Sequence, residues 1–442
     1  MPSVRFRASP HDREIWRLAV PAFGALVAEP LFLLSDSAII GHLGTAQLGG
    51  LGVAGQILST LVYLCVFLAY GTTAGVARQV GAGDMRAALR QGIDGMWLAV
   101  ALGVVLIVAG WALVPWMVDL FGASPGVAPY AETYLRVSLF GIPGMLVVLA
   151  GTGVLRGLQD TRTPLLVSVG GFGVNLLLNV VFVLGFGWGV AGSAWGTVIA
   201  QTGSAAVYAA VVLRAAREHG AGVRPDVAGL RTAATAGVGL LLRTAALRIV
   251  LVVGTSVAAR MGDPEIAAYQ VGFQVWTLLA FALDAIAIAG QAITGRFLGA
   301  SDLAGTRAVT RRMVWWGVVC GVAFGIAILV VRPWLPALFT PDLQVRDLLA
   351  GSLLLVALFQ PVAGVVFVLD GILIGAGDGF YLAWTTALAT LAFLPAALGA
   401  YRADAGLTGL WLAIGLWMCV RMLTLGWRAR GRAWMVTGAV RR

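Results

Sequence analysis

Twelve stretches of this 442-residue chain are each long and apolar enough to cross a hydrocarbon layer, and that limits what the chain can fold into. A membrane span needs about 20 mostly apolar residues. It must be a helix or part of a closed barrel, because lipid offers the backbone no hydrogen-bond partner. The stretches cover 15–40, 48–76, 92–114, 130–154, 164–185, 189–213, 237–260, 265–290, 310–331, 347–373, 380–400 and 406–427. Gly and Pro interrupt several of them, which a helix bundle tolerates when neighbouring helices re-satisfy the backbone. Composition agrees: 60% of residues are apolar and 11% charged, against about 45–50% and about 25% in soluble domains. Soluble enzymes, nucleic-acid binders and disordered chains are excluded on that ground. The first stretch is too long for a signal peptide, carries Glu29 and Asp36, and lacks a clear cleavage site.

All 30 basic residues are arginine. The absence of lysine removes the nucleotide-binding P-loop, whose motif needs Gly-Lys-Ser/Thr, and any lysine nucleophile or base. The net charge of +10 acquires meaning once the arginines are placed on the spans. The N-terminal tail, the even-numbered loops and the C-terminal tail hold 22 of the 30, and the opposite side holds four: Arg260, Arg332, Arg346 and Arg402. The positive-inside rule then predicts that both termini are cytoplasmic, in a multi-pass protein of the cell's inner (plasma) membrane. The basic excess is a topology signal, and no nucleic-acid partner is expected. Cys65, Cys320 and Cys419 lie inside apolar runs without a C-x-x-C pattern, and His11, His42 and His219 fall in polar connections. No metal site or cofactor is expected.

The two halves of the chain repeat each other at an offset of 218. Gly44 maps to Gly262, Gln56 to Gln274, Arg78 to Arg296, Asp84 to Asp302, Trp97 to Trp315, Pro115 to Pro333, Trp116 to Trp334, Pro143 to Pro361 and Asp160 to Asp378. After one deletion, Gly189 and Gly192 match Gly406 and Gly409. Apolar coincidences are cheap in such a chain, but matches at Trp, Asp, Arg, Gln and Pro are not. The pattern predicts an all-α integral membrane protein with twelve transmembrane helices in two pseudo-symmetric six-helix bundles. The expected division is an N-terminal lobe over 1–213, a cytoplasmic linker over 214–236 and a C-terminal lobe over 237–442. A six-span unit repeated in one orientation is a parallel duplication of the kind found in some secondary transporters.

Particular stretches narrow the class. EPLFLLSDSAIIGHLGTAQLGGLG (29–52), RGLQDTRTP (156–164), NLLLNVVFVLGFGWGVAGSAWGTVIAQ (175–201), LDAIAIAGQAITGRFLGA (283–300) and QPVAGVVFVLDGILIGAGD (360–378) resemble the multidrug and toxic compound extrusion (MATE) transporters, in their DinF branch. The resemblance covers nearly the whole chain. It implies a two-lobed exporter of drug-like, often cationic compounds, exchanged for protons or sodium ions. It also implies that an acid at the position of Asp36 takes part in cation coupling. Some members carry an acid where Asn179 stands here. Other branches carry one in the seventh helix and are linked to sodium there, a region where this chain has arginine.

Charges inside spans cost about 2.5–3.5 kcal/mol each on insertion scales, so each needs a reason. Asp36 is the leading coupling residue: a carboxyl in a desolvated pocket can load a proton and release it as the pocket opens. Its alternative is a structural acceptor. Glu29 lies about two turns earlier and precedes Pro30, which removes a backbone donor and can bend the helix; a simple pairing with an arginine is the other option. Asn175 and Asn179 share a face of the fifth span. They are expected either to exchange hydrogen bonds with Asp36 or to form a static link between helices. In the second half Arg243, Arg248, Asp284 and Asp370 form a candidate polar network of balanced charge. An arginine beside Asp370 would oppose cation entry, which favours Asp36 as the coupling site. Arg136 and Arg421 are also embedded. Asp84, Asp160, Asp302 and Asp378 recur in loops and are expected to cap helices or pair with arginine.

The expected function is multidrug efflux of cationic or amphipathic compounds by alternating access, driven by proton influx through Asp36, with no enzymatic activity. The expected protein is a monomer in contact with membrane lipid. A sodium-coupled exporter and a flippase of a lipid-linked precursor are the alternatives. Flippases of the wider superfamily often have fourteen spans. The loop motif of major-facilitator transporters is absent, and VARQVGAGDMRAA stands in its place. A membrane enzyme would need His, Ser and acids converging at one depth, and only acids are present.

Overall fold

The computed structural model describes residues 9–440, without the side chains of Glu29, Phe32, Leu33 and Leu34. Four arginines of the orientation count, Arg5, Arg7, Arg441 and Arg442, lie outside the described residues, as does the Glu29 side chain. Among the described residues the protein is all helix. The elements are α1 (Pro10–Gly41), α2 (Thr45–Leu64), α3 (Phe67–Gly81), α4 (Met85–Leu120), α5 (Ala128–Leu139), α6 (Ile142–Gly157), α7 (Arg162–Asn179), α8 (Gly189–Glu218), α9 (Val227–Met261), α10 (Asp263–Gly299), α11 (Leu303–Val331), α12 (Leu335–Phe339), α13 (Leu343–Gly375), α14 (Gly379–Arg402) and α15 (Gly406–Arg430). The residues after α7, Val180–Gly185, continue as a π-helical turn.

Each predicted stretch has its helix. Among the described residues ten helical segments, α2 with α3 counted as one, are long and apolar enough to span, and α5 with α6, bent by 54°, makes an eleventh. The 32-residue α1 occupies the first stretch and runs unbroken through Pro30. The bend between α5 and α6 falls where Pro143 enters the first turn of α6 and cannot donate to the preceding helix. Burial follows membrane logic. Val108 is 70% exposed and Leu166 71%, while polar side chains collect inside. The linker expected over 214–236 is shorter at both ends. Residues 214–218 finish α8. Residues 227–236, expected as linker, are the first turns of α9, started by Asp226, whose carboxylate accepts from the Ala228 N–H at 3.3 Å. Arg231, counted with the loop, therefore lies on a helix.

The chain divides into two compact units, Gly24–Gly237 and Val238–Arg442, with residues up to Phe23 joined to the latter. In the Gly24–Gly237 unit the core runs along α5 and α6 through Leu135, Leu139, Ile142, Leu146 and Ala150, against α2 and α4. In the other unit α11 and α13 approach closely. Gly317, Gly321 and Gly325 recur at four-residue spacing on α11. A side chain at each would strike the backbone carbonyl of Gly364, Gln360 or Ala357 on α13. Without a hydrophobic force between helices in lipid, such small-residue contacts supply the packing. The start of α1 is tied to this unit by Asp12, which accepts from Arg312 Nε and Nη2 at 2.6 Å each and from Trp316 Nε1 at 2.8 Å. Glu14 pairs with Arg296 at 2.9 Å.

The duplication reaches individual backbone angles. Gly44 and Gly262 precede α2 and α10 with φ of 143° and 152°. Asp84 and Asp302 cap α4 and α11, accepting from Ala87 N–H at 2.8 Å and Gly305 N–H at 2.7 Å. Left-handed residues also recur: Gly83 and Ser301 (φ 80° and 59°), Gln159 and Gly377 (φ 63° and 73°). Asp160 caps α7, whereas its counterpart Asp378 pairs with Arg428 at 2.8 Å.

Candidate functional site

Among the buried polar side chains, one group in each unit is centred on a buried aspartate. In the Gly24–Gly237 unit Asp36, on α1, is 2% exposed. Asn175 and Asn179, one turn apart on α7, both reach it. Asn179 Nδ2 donates to Asp36 Oδ1 and, at 2.9 Å, to Asn175 Oδ1. Asn175 Nδ2 donates to Thr197 Oγ1 at 3.1 Å, and that hydroxyl donates to the Ser193 carbonyl one turn earlier on α8. The same atomic positions accommodate the other orientation of the Asn175 amide. Its nitrogen then reaches Asp36 Oδ1 at 3.1 Å and its oxygen accepts from Thr197 Oγ1 at 3.1 Å. The chain Asp36–Asn179–Asn175–Thr197 thus links α1, α7 and α8.

The sequence explains why the helices meet there. Gly196, beside Thr197, faces Asn179, and a Cβ at that position would lie 2.8 Å from Asn179 Oδ1. The π-helical turn begins at Val180, directly after Asn179; such turns are frequent at functional sites. Tyr134, buried on α5, brings its hydroxyl beside Ser138, Ser193 and Thr197. Asp36 Oδ2 and Asn179 Oδ1 are buried without hydrogen-bond partners. Among the described residues no arginine forms an ion pair with Asp36.

The second group is built on opposite terms. Asp370 on α13 is 5% exposed and receives Arg243 of α9 through Nε at 3.2 Å and through Nη2. Arg421 of α15 joins it through Nη2 at 3.2 Å, and its guanidinium also lies 5.0 Å from the centre of the Trp417 ring. Two guanidiniums on one carboxylate leave no place for a free cation at its oxygens. Arg248 on α9 and Asp284 on α10 are half-buried and engaged in interactions of their own. Arg136, the remaining embedded arginine, pairs with Glu132 one turn earlier at 3.5 Å.

Of the predicted coupling residues, Asp36, Asn175 and Asn179 come together; the Glu29 side chain is outside the described residues. Arg243 and Asp370 meet as the charge pattern anticipates. Sequence reasoning missed Thr197 and Tyr134 beside Asp36 and did not assign Arg421 to Asp370. Spacing carried one usable signal: Ser193 and Thr197 lie one turn apart on an apolar helix. Among the described residues, no group of three or more His, Cys, Asp or Glu side chains is arranged to hold a metal ion.

Long apolar helices in two repeated halves, with buried polar clusters in their interiors, define a multi-pass membrane protein. The MatE family model matches residues 21–181 and 240–398, one match in each half, and the chain belongs to this multidrug and toxic compound extrusion family. It is 29% identical over 429 residues to the DNA damage-inducible protein F of Escherichia coli, spanning 95% of this chain and 93% of that protein. It is 29% identical over 431 residues to Protein DETOXIFICATION 44, chloroplastic, of Arabidopsis thaliana (94% and 81%). A probable multidrug resistance protein NorM of Thermotoga maritima is 25% identical over 378 residues (83% and 80%). Among solved structures, a MATE protein in its bent conformation superposes with a TM-score of 0.88 at 22% identity, over 96% of both chains. A MOP superfamily transporter from Pyrococcus furiosus gives 0.86 at 22%, also over 96% of both.

Proposed function

We propose that the protein exports cationic or amphipathic organic compounds by alternating access, driven by proton influx, with Asp36 as the group that takes up the proton. Both termini face the cytoplasm in this reading, and the protein sits as a monomer in the inner (plasma) membrane. Relatives named as multidrug resistance proteins support the substrate class.

One observation carries the coupling assignment. Asp36 is a buried carboxyl whose partners are neutral amides, with one oxygen unpartnered. A proton on Oδ2 removes a buried negative charge that has no counter-charge among the described residues, and an uncompensated buried charge costs far more than a neutral carboxyl. The carboxyl's own state sets which way Asn175 points. An ionised Asp36 draws the amide nitrogen to itself. A neutral one releases it toward Thr197, so loading a proton rearranges the bonds among α1, α7 and α8. The Asp370 group supports the same reading by contrast: its carboxylate is held by two guanidiniums, and its proposed role is to pin α9, α13 and α15 together. The two six-helix halves, joined through 214–236, are the bodies that move in this reading.

The test is dye efflux by Asp36→Asn, with wild type reconstituted beside it in proteoliposomes under a pH gradient without sodium. Wild type should accumulate dye against its gradient, and the variant should lose at least about tenfold of that rate, equivalent to about 1.4 kcal/mol or more. Efflux unchanged in the variant overturns the role of Asp36. Two unpartnered acceptor oxygens, Asp36 Oδ2 and Asn179 Oδ1, also suit a bound sodium ion. Transport that starts only when sodium is added would establish that second reading in place of the first.

A further inference from the structure

A groove of about 400 Å³ opens on the Gly24–Gly237 unit between α4, α6 and α8. Its floor is made concave by small residues: Gly144 on α6 and Ala206 and Ala209 on α8. Its wall is apolar, and one end is closed by Trp97 and Val223, where the indole Nε1 donates to the Val223 carbonyl at 3.1 Å. An apolar trench in a membrane protein takes an apolar chain. What distinguishes this one is the chemistry at its closed end.

The helix register continues the groove into arginine. On α8 the lining residues Ala206, Ala209 and Leu213 are followed, one turn on, by Arg217. Residues four apart share a helix face. Arg224 directly follows the lining Val223, and Arg90, one turn before the lining Ile93 on α4, holds the Gly222 carbonyl at 3.0 Å. The acids of this region are already engaged. Glu218 pairs with Arg214 at 3.1 Å, Asp94 with Arg90 at 3.6 Å, and Asp84 and Asp226 cap α4 and α9. Arg217 and Arg224 are exposed, and among the described residues neither guanidinium takes part in a hydrogen bond or ion pair. A trench the bulk of an acyl chain, continued by helix register and by sequence to two exposed arginines near Trp97, is complementary to a lipid with an anionic head.

We propose that this groove binds one anionic phospholipid, its acyl chain along α8 and its phosphate at Arg217 and Arg224. The arginine bias of the loops is expected to place that end in the cytoplasmic leaflet. The bound lipid would brace α4 against α8 and the 219–226 connection that leads into α9.

The experiment uses the full-length protein, delipidated in detergent and titrated in native mass spectrometry. The probes are phosphatidylglycerol or phosphatidylcholine of identical chains, with glycerol phosphate as the head alone. Wild type should bind its first phosphatidylglycerol at least about fivefold more tightly than phosphatidylcholine, and glycerol phosphate should not bind. Each of Arg217→Gln and Arg224→Gln should reduce that preference by about fivefold, the effect of one arginine at an anionic surface. Ala206→Phe, which fills the trench, should remove the first site for both lipids. Equal binding of the two lipids by wild type overturns the proposal, as does a preference that survives both arginine substitutions or binding of the head alone. The arginine positions are exposed, so those variants keep the test decisive if Ala206→Phe fails to fold.

Discussion

The two halves of this transporter share a backbone plan and divide its chemistry. The helix before Gly44 carries Asp36, and the corresponding helix before Gly262 carries Gly254 at the matching position. Asn175 corresponds to Phe393 and Asn179 to Ala397, and both of those are fully buried apolar residues. Where Asp36 meets Asn175, a side chain at Gly254 would meet the Tyr269 hydroxyl at 2.6 Å and the Phe393 ring at 4.0 Å. The traffic runs the other way for the ion group: Asp370 corresponds to Thr152 and Arg243 to Ala25. Duplication preserved the turns, caps and left-handed residues that the fold requires. It left the interior free to diverge, so that one half holds a carboxyl among amides and the other a carboxyl between guanidiniums.

The backbones differ as well. The span containing α5 and α6 is bent by 54° at Pro143, while its counterpart α13 continues straight through Pro361 as a single element. The second span is interrupted at Cys65, whereas α10 runs unbroken from Asp263 to Gly299. At these two places the break lies in the half with Asp36; at a third the sense reverses, because α4 runs unbroken through Pro115 whereas α11 ends at Val331 before Pro333 and α12 follows. In the half with the clamped carboxylate α10 and α13 are continuous, and α13 packs on the glycine stripe of α11. A conformational step needs an element with two arrangements of similar energy, and the Gly24–Gly237 half has more places to find one.

The sharpest way to break this contrast is to unpair the clamped carboxylate. Asp370→Asn leaves two buried guanidiniums facing a neutral amide and should cost about 3–5 kcal/mol of stability. The check is the thermal unfolding midpoint of the purified protein. Asp36→Asn removes no partner charge and should unfold close to wild type while losing coupled efflux. Replacing Arg243, Asp370 and Arg421 together by Met, Leu and Met should restore most of the lost stability, because a well-packed apolar set avoids the desolvation penalty. If Asp370→Asn instead keeps its midpoint and abolishes efflux, the two groups are not divided as described.

A smaller perturbation tests the amide chain itself. Thr197→Val keeps the shape of the side chain and removes the hydroxyl that Asn175 meets in either amide orientation. Hydrogen bonds between membrane helices contribute about 0.6 kcal/mol on average and up to about 1.7, so the midpoint should fall only slightly. Efflux under a pH gradient should fall by more than stability alone explains, since Asn175 loses the alternative to Asp36. A loss confined to stability would make Thr197 a packing residue.

Much of this was readable before the fold, and what was not has a physical reason. Twelve spans follow from length and hydropathy, since lipid permits no other arrangement of such segments. Asp36, Asn175 and Asn179 were legible because embedded polar groups are rare and the two amides repeat at helical spacing. Thr197 and Tyr134 were not, because Thr and Tyr are at home on many helix faces and only packing decides which ones reach a carboxyl. Arg421 stood out as an embedded charge, but its partner Asp370 lies two helices away, and the choice among Asp284, Asp370 and lipid-facing positions is made by α13 and α15 meeting. The break at Cys65 has no proline or glycine beside it, whereas the bend at Pro143 carries its own mark.

The clamped acids of the second half extend to its edge. Asp12, in the first turn of α1 and outside the apolar span, accepts two hydrogen bonds from Arg312 and one from Trp316. The bidentate guanidinium holds its carboxyl well below the ordinary value of 3.8. A carboxyl lowered in the folded state stabilises only where the unfolded chain has already given up its proton. Its contribution is therefore full above the ordinary carboxylate value and declines as the pH falls below 3.8 toward the folded value. Asp12→Asn should cost about 1 kcal/mol near neutral pH, a modest figure because the pair is partly exposed. The gap in unfolding midpoint between wild type and variant should stay constant from pH 7 to pH 5 and narrow at pH 4 and pH 3. Other carboxyls titrate in both proteins and cancel in that difference. A gap that widened on acidification would mean that the carboxylate of Asp12, unlike that of Asp370, is not held by its arginine.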